Sequence, residues 1–208
     1  SLILSCGRRT FPLASKLKSL FSDTTCFIHL MYPRLSLNIK GCNLIFTPFH
    51  DNVVASDHVI KTLGSPAPLD IIKIKKKTYK TKPIISILIG GNHGRYKLKS
   101  KIINYILTET LNKIKQGSIL ISTSRRTPNN IIKLIDKWGK KNKNFKIIFH
   151  PKNDSKENPL KEMIAYADEF VVTGDSVSMV SQLCQYKKPV RIIFNKRFCA
   201  TKHINFCT

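Results

Sequence analysis

Two short stretches carry the residue types that hold a phosphate. The first is Gly90-Gly91-Asn92-His93-Gly94, directly after the apolar run Ile84–Ile89. Paired glycines let a backbone approach a ligand and aim N–H groups at an anion. The spacing matches neither G-x-G-x-x-G nor the Walker pattern, so an ordinary strand-to-helix turn is the competing reading. His93 is a lone loop histidine with the chemistry of a base or a ligand contact, roles such residues seldom fill. The second stretch is Thr173-Gly174-Asp175-Ser176, between the apolar run Phe170-Val171-Val172 and a helical spacing of Val177, Val180 and Leu183. A helix starting there offers unpaired N–H groups and a partial positive charge, which suit phosphate. The competing reading makes Asp175 or Ser176 a plain N-cap.

A third feature occurs twice. Ser5-Cys6-Gly7-Arg8-Arg9-Thr10 and Ser122-Thr123-Ser124-Arg125-Arg126-Thr127 each follow an apolar run and precede a helical pattern. Arginines at a sheet's carboxyl edge can grip phosphate or carboxylate bidentately. Two unrelated surface pairs in a basic chain are the alternative; the shared context favours function. Asp51, Asp154, Glu157 and Asp175 fall near loop edges, and no carboxylate pair has the look of a metal cage. The six cysteines form no C-x-x-C pair and no zinc spacing with histidine, so they read as buried thiols of a reducing compartment.

These residues need strands and helices to place them. In the amino-terminal part, strands are expected at Leu2–Ser5, Cys26–Leu30, Asn43–Thr47 and Val59–Thr62, with a helix over Phe11–Leu20. Ser65-Pro66-Ala67-Pro68 and the lysine-rich run Lys73–Lys82 then interrupt the pattern. Residues 64–82 read as a linker between a lobe over 1–63 and a lobe over 83–208. In the second lobe the expected strands are Ile84–Ile89, Ser118–Thr123, Phe145–Phe149, Phe170–Thr173 and Val190–Phe194. The expected helices are Lys99–Gln116, one capped by Thr127 with Pro128 first and running to about Trp138, one from Asn158-Pro159 to Ala167, and Val177–Gln185. Alternation of helices with continuous apolar strands implies a doubly wound parallel sheet.

Composition sets the class. At 208 residues and 42% hydrophobic, the chain can bury a sizeable core. Its net charge of +24 would suggest a polyanion partner, but the lysines are spread along the chain and abundant Ile and Asn point to an AT-rich, bacterial source. A solvated basic surface is the simpler reading, with salt-sensitive peripheral contact to an anionic membrane as its consequence. No aromatic–basic stripe of the kind single-strand binders use is visible, so no specific nucleic acid is expected. No apolar run is long enough to cross a bilayer. The expected location is cytoplasmic, peripheral at the inner membrane face. The opening Ser1-Leu2-Ile3-Leu4 reads as the middle of a strand, so the first lobe is read as truncated at its amino end.

Taken in order, Ser5-Cys6-Gly7-Arg8-Arg9-Thr10, Ile28-His29-Leu30-Met31-Tyr32-Pro33-Arg34, His50-Asp51, Leu88-Ile89-Gly90-Gly91-Asn92, Ser122–Pro128, Asn158-Pro159 and Thr173–Ser181 resemble the family of the plant mitochondrial fission factor Elongated Mitochondria. The family in turn is similar to glycosyltransferases with two Rossmann-like lobes, the GT-B type. The resemblance implies a nucleotide-sugar donor as substrate, with no cofactor and no required metal. By it, Gly90, Gly91 and Asn92 face the diphosphate, Thr173, Gly174, Ser176, Val177, Ser178 and Met179 line the donor site, and Arg125 holds charge on the leaving nucleotide. Gln182 lies near the ribose, where relatives commonly carry Glu. The loss of that acid leaves a non-catalytic adaptor, or a gene fragment without function, as alternatives to a transferase of envelope glycans.

Overall fold

The computed structural model describes residues 1–21, 24–33, 39, 41–66, 79, 81–155 and 157–208. The chain divides into two compact units, Ser1–Ala67 and Pro68–Thr208. Most of the expected linker, and Arg34, lie outside the described residues.

The first unit is a parallel sheet of β1 (Leu2–Cys6), β2 (Cys26–Leu30), β3 (Leu44–Pro48) and β4 (Val59–Thr62), in that spatial order. Helix α1 (Phe11–Leu20) lies between β1 and β2 in the chain, with Pro12 in its first turn. Its buried Phe11 and Ala14 pack with Phe27, Ile45 and Val59. His29 is enclosed there: its Nδ1 lies 2.6 Å from Ser5 Oγ, and the Phe11 ring meets its edge at 4.8 Å. Desolvation lowers the His29 pKa, opposed by a backbone hydrogen bond at Met31. A neutral imidazole is what an apolar pocket selects.

The second unit builds a five-stranded parallel sheet from β5 (Ile84–Leu88), β6 (Ser118–Ser122), β7 (Phe145–Phe149), β8 (Glu169–Thr173) and β9 (Val190–Ile193). Its order is β7-β6-β5-β8-β9. The helices are α2 (Ser100–Ile114), α3 (Asn129–Lys141), α4 (Leu160–Tyr166), α5 (Val177–Cys184) and α6 (Thr201–Cys207). Side chains alternate across a strand, and β5 shows the result. Ile85, Ile87 and Ile89 join Ile103, Ile106 and Leu107 of α2 and Ile131 and Ile135 of α3. Ile84 and Leu88 join Met163 and Ile164 of α4 and Val180 and Leu183 of α5. Both faces are covered, so every β5 residue is buried. Ser86 meets that burial by donating its hydroxyl to the Met163 carbonyl at 2.9 Å. Each buried isoleucine contributes about 1.5–3 kcal/mol over an exposed one.

Three local expectations are corrected. Pro128, not Thr127, is the N-cap of α3, because the Thr127 hydroxyl donates elsewhere; the helix runs on to Lys141. Helix α6 was not anticipated: seven residues are too few for a periodic signal, and contacts with the rest of the unit hold it. Its Ile204 and Phe206 pack against the two faces' cores. Only Cys42 and Cys199 are buried thiols; Cys6 and Cys184 are exposed and Cys26 and Cys207 half-buried. A cysteine among apolar neighbours in sequence still faces outward when the strand or helix turns it there.

Candidate functional site

In the second unit the strand order reverses between β5 and β8, and ligands of open α/β sheets bind where such neighbours' carboxyl ends diverge. The loops leaving β5, β6 and β8 meet at this point and are laced together. Gly90 N–H donates to Thr173 Oγ1 at 2.7 Å, and Gly91 N–H to Asp175 Oδ2 at 2.9 Å. Asn92 N–H donates to the Arg126 carbonyl at 3.2 Å, and Asn92 Oδ1 accepts the Leu98 N–H at 2.9 Å. From the β6 side, Thr127 Oγ1 donates to the Gly90 carbonyl at 2.5 Å and accepts the Ser124 N–H at 2.9 Å. Glycine is required at both positions by close approach: a Cβ on Gly90 would lie 2.2 Å from the Asp175 carboxylate, and one on Gly91 would lie 2.3 Å from the Arg126 carbonyl.

In this structure the amides of Gly90, Gly91 and Asn92 are bonded within the protein, because buried N–H groups must be paired somewhere. Thr173 is fully buried and holds Gly90; Gly174 is buried with Phe194 and Cys207 against it, and its N–H donates to the Ile193 carbonyl at 2.9 Å. These residues brace the crevice.

The start of α5 is different. Its first internal bond runs from Val180 N–H to the Ser176 carbonyl at 3.1 Å, and Ser176 makes no side-chain cap. The amides of Val177, Ser178 and Met179 precede that bond and have no acceptor among the described residues. Val177 and Val180 are buried, and Met179 packs partly against the core. Ser178 is exposed and Ser176 and Gln182 are half-buried. Ser178 and Gln182, four apart, share one helix face.

Arginine chemistry is present, with the partners exchanged. Arg126, not Arg125, reaches the crevice: its Nη1 donates to the Asn92 carbonyl at 3.2 Å and its Nη2 to Asp175 Oδ2 at 3.1 Å. The Asp175 side chain is 0% exposed and the Arg126 side chain 40%. Asp175 Oδ1 has no partner among the described residues. Arg125 is exposed on the same turn. Asp175 and Thr127 join the crevice beyond the residues that the resemblance implies, and of the arginine pair it is Arg126 that bonds there; the signal in the sequence is that Asp175 is the lone acid among the crevice stretches. In the first unit Gly7-Arg8-Arg9-Thr10 forms the same turn, Thr10 N–H to the Gly7 carbonyl at 3.2 Å, as Ser124–Thr127 does at 3.0 Å. Each turn puts two arginines at its centre.

Two histidines engage neighbours of their own. His93 is exposed, with its ring edge-on to His203 at 5.5 Å. His150 links Thr123 Oγ1 and Asp136 Oδ1, each at 3.0 Å, but Thr123 is buried, so this relay braces β6, β7 and α3. Among the described residues, no group of three or more His, Cys, Asp or Glu could hold a metal, and no helix is long and apolar enough to cross a membrane.

This architecture is shared with solved proteins. The UDP co-structure of S. aureus MnaA superposes with a TM-score of 0.55 at 12% identity, covering 93% of this chain and 57% of that one. The likeness establishes the fold, an α/β chain with two Rossmann-like parallel sheets of the GT-B type. In sequence, the chain is 26% identical over 223 residues to the mitochondrial fission protein ELM1 of Arabidopsis thaliana, with 92% of this chain matched. It spans about half of that relative's length, 51%. It is 27% identical over 244 residues to the uncharacterized protein RP120 of Rickettsia prowazekii, covering 97% of this chain and 67% of the relative. The family model for mitochondrial fission ELM1 matches residues 1–208 from end to end, and the chain belongs to that family.

Proposed function

We propose that the second unit binds the diphosphate of a nucleotide sugar at the start of α5, within a glycosyltransferase-like protein acting in envelope glycan synthesis. One observation carries the reading: at the switch point of a doubly wound sheet, the amides of Val177, Ser178 and Met179 have no acceptor among the described residues. Free helix-start amides and the helix dipole favour an anion. The Ser176 and Ser178 hydroxyls add donors beside them, and Arg126 and Arg125 add positive charge from the neighbouring turn. In this reading Gln182, one turn on, offers its side-chain amide to a ribose hydroxyl. Preorganised donors of this kind stabilise a leaving diphosphate. The fold likeness to a protein solved with UDP supports the choice of ligand.

Isothermal titration of the chain, and of the Rickettsia prowazekii relative, with UDP and UDP-sugars tests the reading. Saturable binding is expected. A dissociation constant weaker than about 1 mM, roughly −4 kcal/mol, for both proteins sinks it.

A second reading, a non-catalytic adaptor of the same fold, is favoured by the state of Asp175. It is the one acid in stretches 90–95, 123–127 and 174–182, and it is buried and engaged with Gly91 and Arg126. An adaptor captures its partner independently of Ser176 and Arg126 and transfers no sugar. Loss of partner capture in Ser176→Ala together with Arg126→Ala would count against it.

A further inference from the structure

A cleft of about 470 Å³ lies between the start of α2 and the carboxyl end of β9. Lys97, Lys99, Lys101 and Arg197 form its rim, and no acidic residue lines it. All four cations are exposed and have no ion-pair partner among the described residues. Its floor is apolar: three isoleucines, Phe194 and Tyr105, the last 56% exposed.

The start of α2 runs against the helix dipole. A helix N-terminus carries partial positive charge and normally draws acidic residues. Here Lys99 is the N-cap, no side chain caps the amides, and the first turn holds no acid. Lysines at 97, 99 and 101 add like charge to like charge, and an external anion would relieve that repulsion. The apolar floor narrows the anion's type. A free phosphate leaves the floor wet, whereas an anionic lipid surface meets both parts. Tyrosine settles at the headgroup level of a bilayer, and lysine stems lie along apolar surface while their heads reach phosphate.

We propose that this cleft is a docking site for the anionic phospholipid headgroups of a bilayer. Phe194 of the floor also backs Gly174 in the β8–α5 turn, so docking here holds the surface beside the crevice of the same unit. The inference stands without the nucleotide reading, since none of its rim residues contacts the α5 amides.

The test is co-sedimentation of the 208-residue chain with vesicles of phosphatidylcholine alone and of phosphatidylcholine with phosphatidylglycerol. Because a charge of +24 alone attracts anionic vesicles, the comparison is between charge-matched variants. One carries Lys97→Glu, Lys99→Glu and Lys101→Glu; the control carries Lys133→Glu, Lys137→Glu and Lys140→Glu on α3. A third is Tyr105→Asp. Thermal melts confirm that each remains folded. The cleft variant is expected to lose about tenfold or more in partitioning, given about fivefold per lysine at an anionic surface. The control should lose no more than about threefold, because Lys133, Lys137 and Lys140 do not line the cleft and exposed charges outside the contact are screened. Equal losses in the two triple variants overturn the proposal, as does unchanged partitioning of Tyr105→Asp. Cleft-dependent capture of polyglutamate without vesicle binding overturns it in favour of an acidic protein partner.

Discussion

The amide of Gly91 donates to Asp175 Oδ2 at 2.9 Å, tying the end of β5 to the end of β8 across 84 positions of chain. The contact exists because Gly90 has no side chain: both carboxylate oxygens sit 2.2 Å from where its Cβ would be. Asp175→Ala removes the acceptor and leaves a buried N–H unsatisfied and Arg126 without its counter-charge. A loss of about 1–3 kcal/mol is expected by urea unfolding, and less for Asp175→Asn, which keeps an acceptor oxygen. A loss under about 0.5 kcal/mol for alanine, the range of neutral surface changes, refutes this role.

Glycine substitutions should separate by what the new methyl meets. At Gly91 the obstacle is the Arg126 backbone carbonyl, 2.3 Å away, whereas at Gly139 it is the flexible tip of Ile148, 2.2 Å away. Gly91→Ala is expected to cost about 2–3 kcal/mol, as overpacking against a rigid group does. Gly139→Ala lies inside α3, where alanine gains about 1 kcal/mol of helix propensity that offsets the repacking. Denaturation midpoints of the two variants decide it; the reverse order is the failing result.

The paired arginines should prove unequal. Arg126 is fixed over the crevice by Asp175 and the Asn92 carbonyl, while Arg125 is exposed with no partner among the described residues. A preoriented guanidinium loses less freedom per bond formed. Titration with UDP should show Arg126→Ala weakening binding about tenfold, one charge-assisted hydrogen bond, and Arg125→Ala less than about threefold. Equal effects would remove the special place given to Arg126.

Alkaline stability follows from a buried thiol. Burial pushes the Cys199 pKa from 9.0 up to about 12, opposed by a backbone hydrogen bond at Asn195. Above pH 9 the unfolded chain gives up this proton and the folded one keeps it. The stability that Cys199 contributes is thus complete below pH 9 and is lost as pH rises toward 12. Cys199→Ala should flatten the fall in stability by about 1.4 kcal/mol per pH unit in that window. Parallel pH profiles for the two proteins would show that the thiol does not titrate this way.

Thiol labelling should follow exposure. Cys6 and Cys184 are exposed and Cys42 and Cys199 are buried. Desolvation raises the Cys184 pKa, which lowers its thiolate fraction. Maleimide mapped by mass spectrometry near neutral pH should mark Cys6 first, Cys184 next, and Cys42 and Cys199 only on unfolding. Early modification of Cys199 contradicts the packing of the second unit.

Much of the element pattern was legible beforehand because local chemistry specifies it. Phe11–Leu20, Cys26–Leu30, Val59–Thr62 and Phe145–Phe149 fall where apolar periodicity and a first-turn proline place them. Ile84–Leu88 is readable as a two-faced strand because its apolar side chains fall on both alternating faces, which only full burial tolerates, with Ser86 the one polar exception. The candidate site was legible to a lesser degree: the stretches at 90–92, 122–127 and 173–175 do meet at the β5–β8 switch point, but which of their groups bond one another was not.

What the sequence determines by itself is therefore the strands and the helices other than α6, the glycines and the paired arginines, since each depends on a residue and its near neighbours. What only the tertiary structure decided is the strand order β7-β6-β5-β8-β9, the spending of the Gly90–Asn92 donors inside the protein, and the capture of Arg126 by Asp175. A strand's side chains state that it is buried but not beside which strand, and an amide's freedom depends on an acceptor some eighty residues away. Backbone donors are alike in every sequence, so which of them stay without an acceptor among the described residues, those of Val177, Ser178 and Met179 included, emerges only from the fold.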